Sequence, residues 1–167
     1  KEIKIKITKN SPTIARFRAN EDKENSKLDS NIYVKDIDNS ISKLVIKLDA
    51  EKDGIESEIA NVDLTNRLVE SNLVKEENDT EIANTYYINA LLDISKVSMV
   101  DNYKVKIFAN YSLDGKNTNT DILLLEEDLE ASPVVQIENA VASKEHVEKD
   151  ENITLNYKIE TNKEDKE

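Results

Sequence analysis

Asp101-Asn102-Tyr103-Lys104-Val105-Lys106-Ile107-Phe108-Ala109-Asn110-Tyr111 is the stretch that decides how this chain folds. Tyr103, Val105, Ile107, Ala109 and Tyr111 fall at every second position, and Lys104, Lys106 and Asn110 stand between them. A period of two sends the first set to one face of a strand and the second set into water. Asp114-Gly115 comes next, then Asp121-Ile122-Leu123-Leu124-Leu125-Glu126. The reading is strand, tight turn, strand, and it predicts a β-sandwich-like chain. Phe108 lies opposite the Tyr103–Tyr111 set and is expected at the surface, against a neighbouring domain, a partner or a side loop.

The same device recurs on either side. Leu44, Ile46 and Leu48 alternate with Lys43, Lys47 and Asp49; Asp53-Gly54 comes next, and Ile55, Ser57 and Ile59 alternate with Glu56 and Glu58. That is a hairpin, because Asp-Gly takes the positive φ angles of a tight turn. Tyr86, Ile88, Ala90 and Leu92 form a further alternating run. Toward the start, Ile3, Ile5 and Ile7 predict a strand that ends before Pro12. Ile14, Phe17 and Ala19 predict another, residues 20–30 a polar loop, and Ile32 with Val34 a new extended segment. Residues 62–76 suit a short helix or an irregular strand, and Glu76-Glu77-Asn78-Asp79 a turn. Leu123 to Leu125 is apolar on both faces, so this strand is expected to be covered on both sides or to sit at a junction. The predicted core is Ile5, Leu44, Ile46, Leu48, Ile88, Tyr103, Val105, Ile107 and Leu124.

Composition narrows the classes. A length of 167 residues allows one full domain with something extra, or two small ones, at roughly 100–200 residues per domain. The 35 acidic residues exceed the 23 basic ones by enough to give a net charge of −12. Such a field repels nucleic acid and anionic lipid, and no nucleic-acid partner is expected. The one basic stripe, Lys1, Lys4, Lys6 and Lys9, interleaves with isoleucines as the wet face of an edge strand would. The absence of cysteine excludes disulfides, thiolate metal sites and cysteine catalysis. It suits a cytosol and the exterior of a Gram-positive bacterium equally. No apolar run approaches the ~20 residues that span a bilayer, so membrane insertion is not expected. The chain opens on Lys1 with neither an initiating methionine nor a signal peptide, and is expected to be a piece of a longer protein.

Ala131-Ser132-Pro133 marks a boundary, giving residues 1–131 as one domain and 132–167 as a partial second β unit or additional strands. Beyond it Val135 and Ile137 restart the pattern, and Ile153, Leu155, Tyr157 and Ile159 alternate with Thr154, Asn156, Lys158 and Glu160. Two strands cannot bury a core alone. Either a second sandwich opens here or these strands complete the first.

Asp101-Asn102-Tyr103-Lys104-Val105 resembles the Asp-x-Tyr-x-core sequence of immunoglobulin-like domains, with valine where antibody domains carry cysteine. In such domains the tyrosine enters the next-to-last strand and its hydroxyl bonds back to nearby backbone. The last strand is reached by a hairpin, here across Asp114-Gly115. The core tryptophan and both cysteines of antibodies are missing, which leaves the broader class found as repeated modules in bacterial surface proteins. Residues 146–162 look like the opening of another such repeat. The resemblance implies an all-β fold, an immunoglobulin-like β-sandwich followed by the start of a second β-sandwich unit.

No residue is assigned a catalytic, cofactor-binding or metal-binding role. His146 is the sole histidine and is expected to be exposed in a charged loop. Asp22, Glu24 and Asp29 in one loop, and Asp114, Asn117, Asn119 and Asp121 in another, offer oxygens of the kind calcium takes. The EF-hand pattern is absent, because Gly115 stands second in the loop and Leu125 holds the place of the bidentate glutamate. Glu126-Glu127 has nothing to set its two pKa values apart, which removes support for a glycosidase. A lysine–asparagine or lysine–aspartate amide cross-link, as pilin and adhesin modules carry, would show as a lowered intact mass.

The expectation is therefore a non-enzymatic structural or adhesive module of a bacterial cell-surface or secreted protein, located outside the cell. Its partners would be neighbouring domains of the same polypeptide and a host or cell-wall protein or glycan. Two alternatives stand beside it. One is a carbohydrate- or protein-ligand-binding sandwich using Tyr33, Tyr86, Tyr87 or Phe108 as a platform. The other is an accessory domain of a secreted enzyme.

Overall fold

The computed structural model describes residues 9–74, 84–144, 146, 148–149 and 152–163. The strands, in chain order, are β1 (Thr13–Asp22), β2 (Lys27–Lys35), β3 (Ile41–Lys52), β4 (Ile55–Asp63), β5 (Thr85–Asp93), β6 (Asn102–Tyr111), β7 (Asn119–Glu130), β8 (Val135–Ala142) and β9 (Leu155–Thr161). Two single 3-10 turns, Thr65–Arg67 and Glu70–Asn72, stand between β4 and β5. A three-stranded sheet runs in the order β1-β2-β5 and a four-stranded one in the order β4-β3-β6-β7. Every neighbouring pair is antiparallel. β8 and β9 pair with each other as a separate two-stranded ribbon.

The inward faces of the two larger sheets meet in one core. β6 buries Tyr103, Val105, Ile107, Ala109 and Tyr111, as its alternation requires. β3 buries Leu44, Ile46 and Leu48, and β5 buries Tyr86, Ile88, Ala90 and Leu92. Leu48 stands opposite Val105, Ile46 opposite Ile107 and Leu44 opposite Ala109, so β3 and β6 present one continuous apolar surface. The chain is thus all-β and sandwich-like. Of the predicted core, Ile5 lies outside the described residues, as do the strand around it and the turn at 76–79. Leu124 is only partly buried.

The hairpin at Asp53-Gly54 forms as expected, with φ of 53° and 74°. Both central residues of such a turn need φ > 0, which glycine supplies without strain and aspartate tolerates.

Other expectations need correction. Residues 20–30 are not one loop: β1 continues to Asp22 and β2 starts at Lys27, leaving a four-residue turn. Ser30 hid this strand, because a serine occupies a fully buried position between Leu28 and Ile32. The β6–β7 link is a longer loop instead of a tight turn. There the Asp114 carboxylate accepts the backbone N–H groups of Lys116 and Asn117, at 2.8 and 2.7 Å. These bonds hold its pKa down, at about 2. Of residues 62–76, 62 and 63 end β4, the two 3-10 turns and a single bridge from Leu73 to Tyr86 of β5 follow, and 75 and 76 lie outside the described residues. The Leu123–Leu125 run is not sealed on both faces. β7 is an edge strand with an irregular register there, Ile107 facing Leu125 and Phe108 facing Leu123, and Leu123 remains 47% exposed. One extra residue at a bulge puts successive side chains on altered faces.

A buried carboxylate fixes the β2–β3 turn. Asp36 accepts the Ser40 backbone N–H at 2.9 Å and hydroxyl at 2.8 Å on one oxygen, and the Ile41 N–H at 2.9 Å on the other. Removing it would strand those donors inside the protein.

Replacing Ile107 with aspartate should abolish the cooperative unfolding transition, since it puts a charge in the centre of the core. Lys106, next to it, points outward, so alternation alone makes Lys106→Asp nearly neutral. Lys106 Nζ instead lies 2.7 Å from Asp49 Oδ2, so that substitution sets two carboxylates together. The expected cost is about 1–3 kcal/mol. Denaturant midpoints of the two variants check both statements.

Candidate functional sites

The sandwich offers three places where function could reside: the pole at which β8–β9 joins it, and the outer faces of its two sheets. At the pole, Asp101 acts as a hub. Its carboxylate accepts the Asp53 N–H at 2.9 Å and so caps the β3–β4 hairpin. Its carbonyl accepts from Ala131 N–H at 3.3 Å and from Lys163 Nζ at 3.0 Å. The Asn162 amide donates to Val100 O at 2.6 Å and to Ser132 O at 3.2 Å, while its oxygen accepts the Val134 N–H at 2.8 Å. Glu21 accepts the Ser132 N–H at 3.0 Å, Lys23 Nζ donates to Pro133 O at 3.3 Å, and Lys163 pairs with Glu130 at 3.2 Å. The 131–134 connector is therefore held by side chains from both the sandwich and the ribbon.

Tyr103 stands beside this pole. The resemblance to immunoglobulin-like domains implied a hydroxyl turned to local backbone. The hydroxyl instead faces Glu21, on β1 of the opposite sheet. Burial and the adjacent carboxylate push its pKa up to about 12. Tyr103, Glu21, Met99, Val100, Val134 and Asn162 help line a half-open cleft of about 270 Å³. That is below the roughly 300–1,000 Å³ of ordinary small-molecule sites.

The outer face of the four-stranded sheet pairs three of its lysines with its own carboxylates. Lys47 pairs with Glu58 at 2.9 Å, Lys106 with Asp49, and Lys104 with Glu56, while Asp128 lies 3.8 Å from Lys104. Lys47 Nζ also sits 5.9 Å from the centre of the Phe108 ring, so Phe108 faces outward but is half-covered.

The outer face of β1-β2-β5 is different. Its cross-strand register sets Arg16, Tyr33 and Tyr87 in one row, and Arg18, Asn31 and Asn89 in the next. The Tyr33 and Tyr87 rings are 5.1 Å apart and tilted by 47°, with the Arg16 guanidinium 5.4 Å above Tyr33. The Tyr87 hydroxyl donates to Asn31 Oδ1 at 2.5 Å, and Asn89 Nδ2 donates to Asp29 Oδ1 at 2.6 Å and to Asn31 Oδ1 at 3.2 Å. Of the four aromatic platforms read from the sequence, the structure brings Tyr33 and Tyr87 together. Tyr86 is withdrawn: it is buried, with its hydroxyl bonded to Asn39 at 2.8 Å. Sequence reasoning missed Arg16, Arg18, Asn31 and Asn89. The signal for Asn31 and Asn89 was present in the positions alternating with the buried residues of β2 and β5, and Arg16 and Arg18 flank the partly buried Phe17 of β1.

The acidic clusters do not converge. Asp22 binds Asn25 through both backbone and side chain, Asp29 sits on β2, and Asp114 closes its own loop. Among the described residues no three histidine, aspartate or glutamate side chains gather as a metal would need. His146 is exposed. Glu126 and Glu127 are exposed neighbours on β7, which as successive strand residues point to opposite sides. Among the described residues no lysine is buried, and Lys106–Asp49 is a hydrogen-bonded ion pair on the outside of the sheet. Among the described residues no helix is long and apolar enough to cross a membrane.

No protein-family model matches this chain, and no curated protein or solved structure matches it either.

The pole yields two expected outcomes. Tyr103 has a folded-state pKa above its ordinary value of 10.0, so its contribution is fully present below pH 10 and is lost as pH rises toward about 12. Melting midpoints taken across that interval should fall, and Tyr103→Phe should flatten the fall. Spin labels on cysteines introduced at exposed Lys43 and Asn156 should give a narrow distance distribution, since the chain has no cysteine of its own. Asn162→Ala should broaden it; an unchanged distribution would show that the amide does not hold the ribbon.

Proposed function

We propose that this chain is a non-catalytic module of a bacterial cell-surface or secreted protein, one immunoglobulin-like sandwich in a series of like units, acting as a spacer or adhesive element outside the cell. The observation that carries this reading is the β8–β9 ribbon. Val135, Ile137, Leu155, Tyr157 and Ile159 stand 56–65% exposed on it, although their alternation is that of a core-facing strand. Burying each would be worth roughly 1.5–3 kcal/mol, so the ribbon carries half of a core.

Its arrangement repeats the opening of the first unit. Ser11-Pro12 leads into β1–β2, and Ser132-Pro133 leads into β8–β9. Leu28 and Ile32 alternate along β2 as Leu155 and Ile159 do along β9, but only β2 has a sheet across from it. The strand partition supports the immunoglobulin-like reading. Strands β1, β2 and β5 correspond to A, B and E; β4, β3, β6 and β7 correspond to C′, C, F and G. The bridge at Leu73 lies beside β5, where a fourth strand, D, would pair. The polar joint suits a spacer, because it fixes one unit against the start of the next.

Deleting residues 132–167 tests this. The sandwich should keep one cooperative melt with its midpoint within about 5 °C of the parent. Binding of a dye that reports exposed apolar surface should fall, leaving only what the sandwich's own exposed side chains such as Leu91 and Leu123 contribute. Loss of folding on deletion would make the ribbon an integral part of the first unit and overturn the series.

A further inference from the structure

The outer face of β1-β2-β5 carries three cross-strand rows: Arg16–Tyr33–Tyr87, Arg18–Asn31–Asn89 and Asn20–Asp29–Leu91. With strands about 4.8 Å apart and alternate residues about 6.8 Å apart, the nine side chains cover a flat patch of roughly 10 by 14 Å. Three features set this patch apart. Two of the chain's three arginines, Arg16 and Arg18, lie on it. Neither is in an ion pair among the described residues, whereas Lys47, Lys104 and Lys106 on the opposite outer face all are. In a chain with 35 acidic residues, leaving both guanidinium groups unmatched keeps a local positive charge where the rest of the molecule is negative. Finally, the hydrogen bonds within the patch leave outward capacity. Asn31 Oδ1 accepts twice, which leaves its amide hydrogens free, and Asn89 commits its amide to Asp29 and Asn31, which leaves its oxygen free.

We infer that this face binds an anionic glycan. A sugar ring would lie on the exposed Tyr87, which Tyr33 backs from the side while Arg16 covers Tyr33. The sugar hydroxyls would meet the Asn31 amide, the Asn89 oxygen and Asp29, and the acidic group would meet Arg16 and Arg18. Charge complementarity selects an anion, since a guanidinium offers the paired donors that a carboxylate or sulfate accepts. The patch chemistry selects a hydroxyl-rich ligand over a protein. Its side chains are chiefly phenol, amide and guanidinium, and Leu91 is its single large aliphatic, whereas a protein interface would need an apolar centre. The inference rests on this face alone and stands whether or not the module belongs to a series.

Amide NMR titration of the full chain tests it with four probes: a galacturonic acid tetramer for carboxylate, a heparin-derived hexasaccharide for sulfate, neutral maltohexaose, and a glutamate decamer. One or both acidic sugars should shift the amides around Arg16, Arg18, Asn31, Tyr33, Tyr87 and Asn89, and the stronger of the two identifies the acidic group. Binding should weaken as salt rises. Arg16→Ala with Arg18→Ala, and separately Tyr87→Ala, should each weaken it about tenfold or more. Lys104→Ala, on the opposite sheet, should leave it unchanged. All these positions are at the surface, and unchanged melting midpoints would confirm intact folding. The proposal is overturned if neither acidic sugar binds, if the shifts fall on another face, or if maltohexaose binds equally well. Equal binding of the glutamate decamer would also overturn it, in favour of an acidic protein partner.

Discussion

The interlocking of two inward faces governs everything else in this molecule. β3 and β6 are the central strands of one sheet, β2 is the central strand of the other, and each places a buried side chain at every second position. A slip of one residue would turn all of those side chains into water. The core tolerates two blemishes: Ser30 Oγ and Thr85 Oγ1 are buried without a hydrogen-bond partner among the described residues. Both lie on the three-stranded sheet, so the four-stranded sheet supplies the drier half of the contact.

With the inner faces committed to packing, only the outer faces and the poles are left for function, and they have diverged. The β4-β3-β6-β7 exterior matches its lysines with its own carboxylates. Pairs of that kind add little stability in water, but they leave Lys47, Lys104 and Lys106 each answered by a carboxylate. The β1-β2-β5 exterior keeps its guanidinium groups unmatched beside two tyrosines. The pole near Asp101 is different again, with its backbone carbonyls capped by Asn162 and Lys163 from the ribbon. One face is closed, one open, and one end coupled to the β8–β9 strands.

How much of this could be read from the residues depends on the kind of signal each part leaves. The strands β3, β5 and β6 were legible because an apolar residue stands at every second position, with Val45, Leu91 and Phe108 among the exceptions on the other face, and the Asp53-Gly54 turn because few other residues accept its backbone angles. β2 was half-hidden by Ser30, a polar residue in a core position. The Leu123–Leu125 run misled because a bulge, which depends on the partner strand, decides which side each leucine takes. The outer-face patch was legible only in part. Tyr33 and Tyr87 are 54 residues apart in sequence, and only strand pairing makes them neighbours. The Asn162 joint left no pattern at all, since one amide bonded to three backbone groups has no periodicity.

The hydrogen bond from Ser132 to Glu21 carries a mechanical consequence. It places the end of β7 beside the end of β1, at the opposite pole from Thr13, where β1 begins. Tension applied between the two attachments therefore runs along the strands, across hydrogen bonds that lie perpendicular to them. The β1–β2 ladder would be loaded in shear, many bonds at once, instead of being unzipped from one end. A chain built this way yields late under a steady pull.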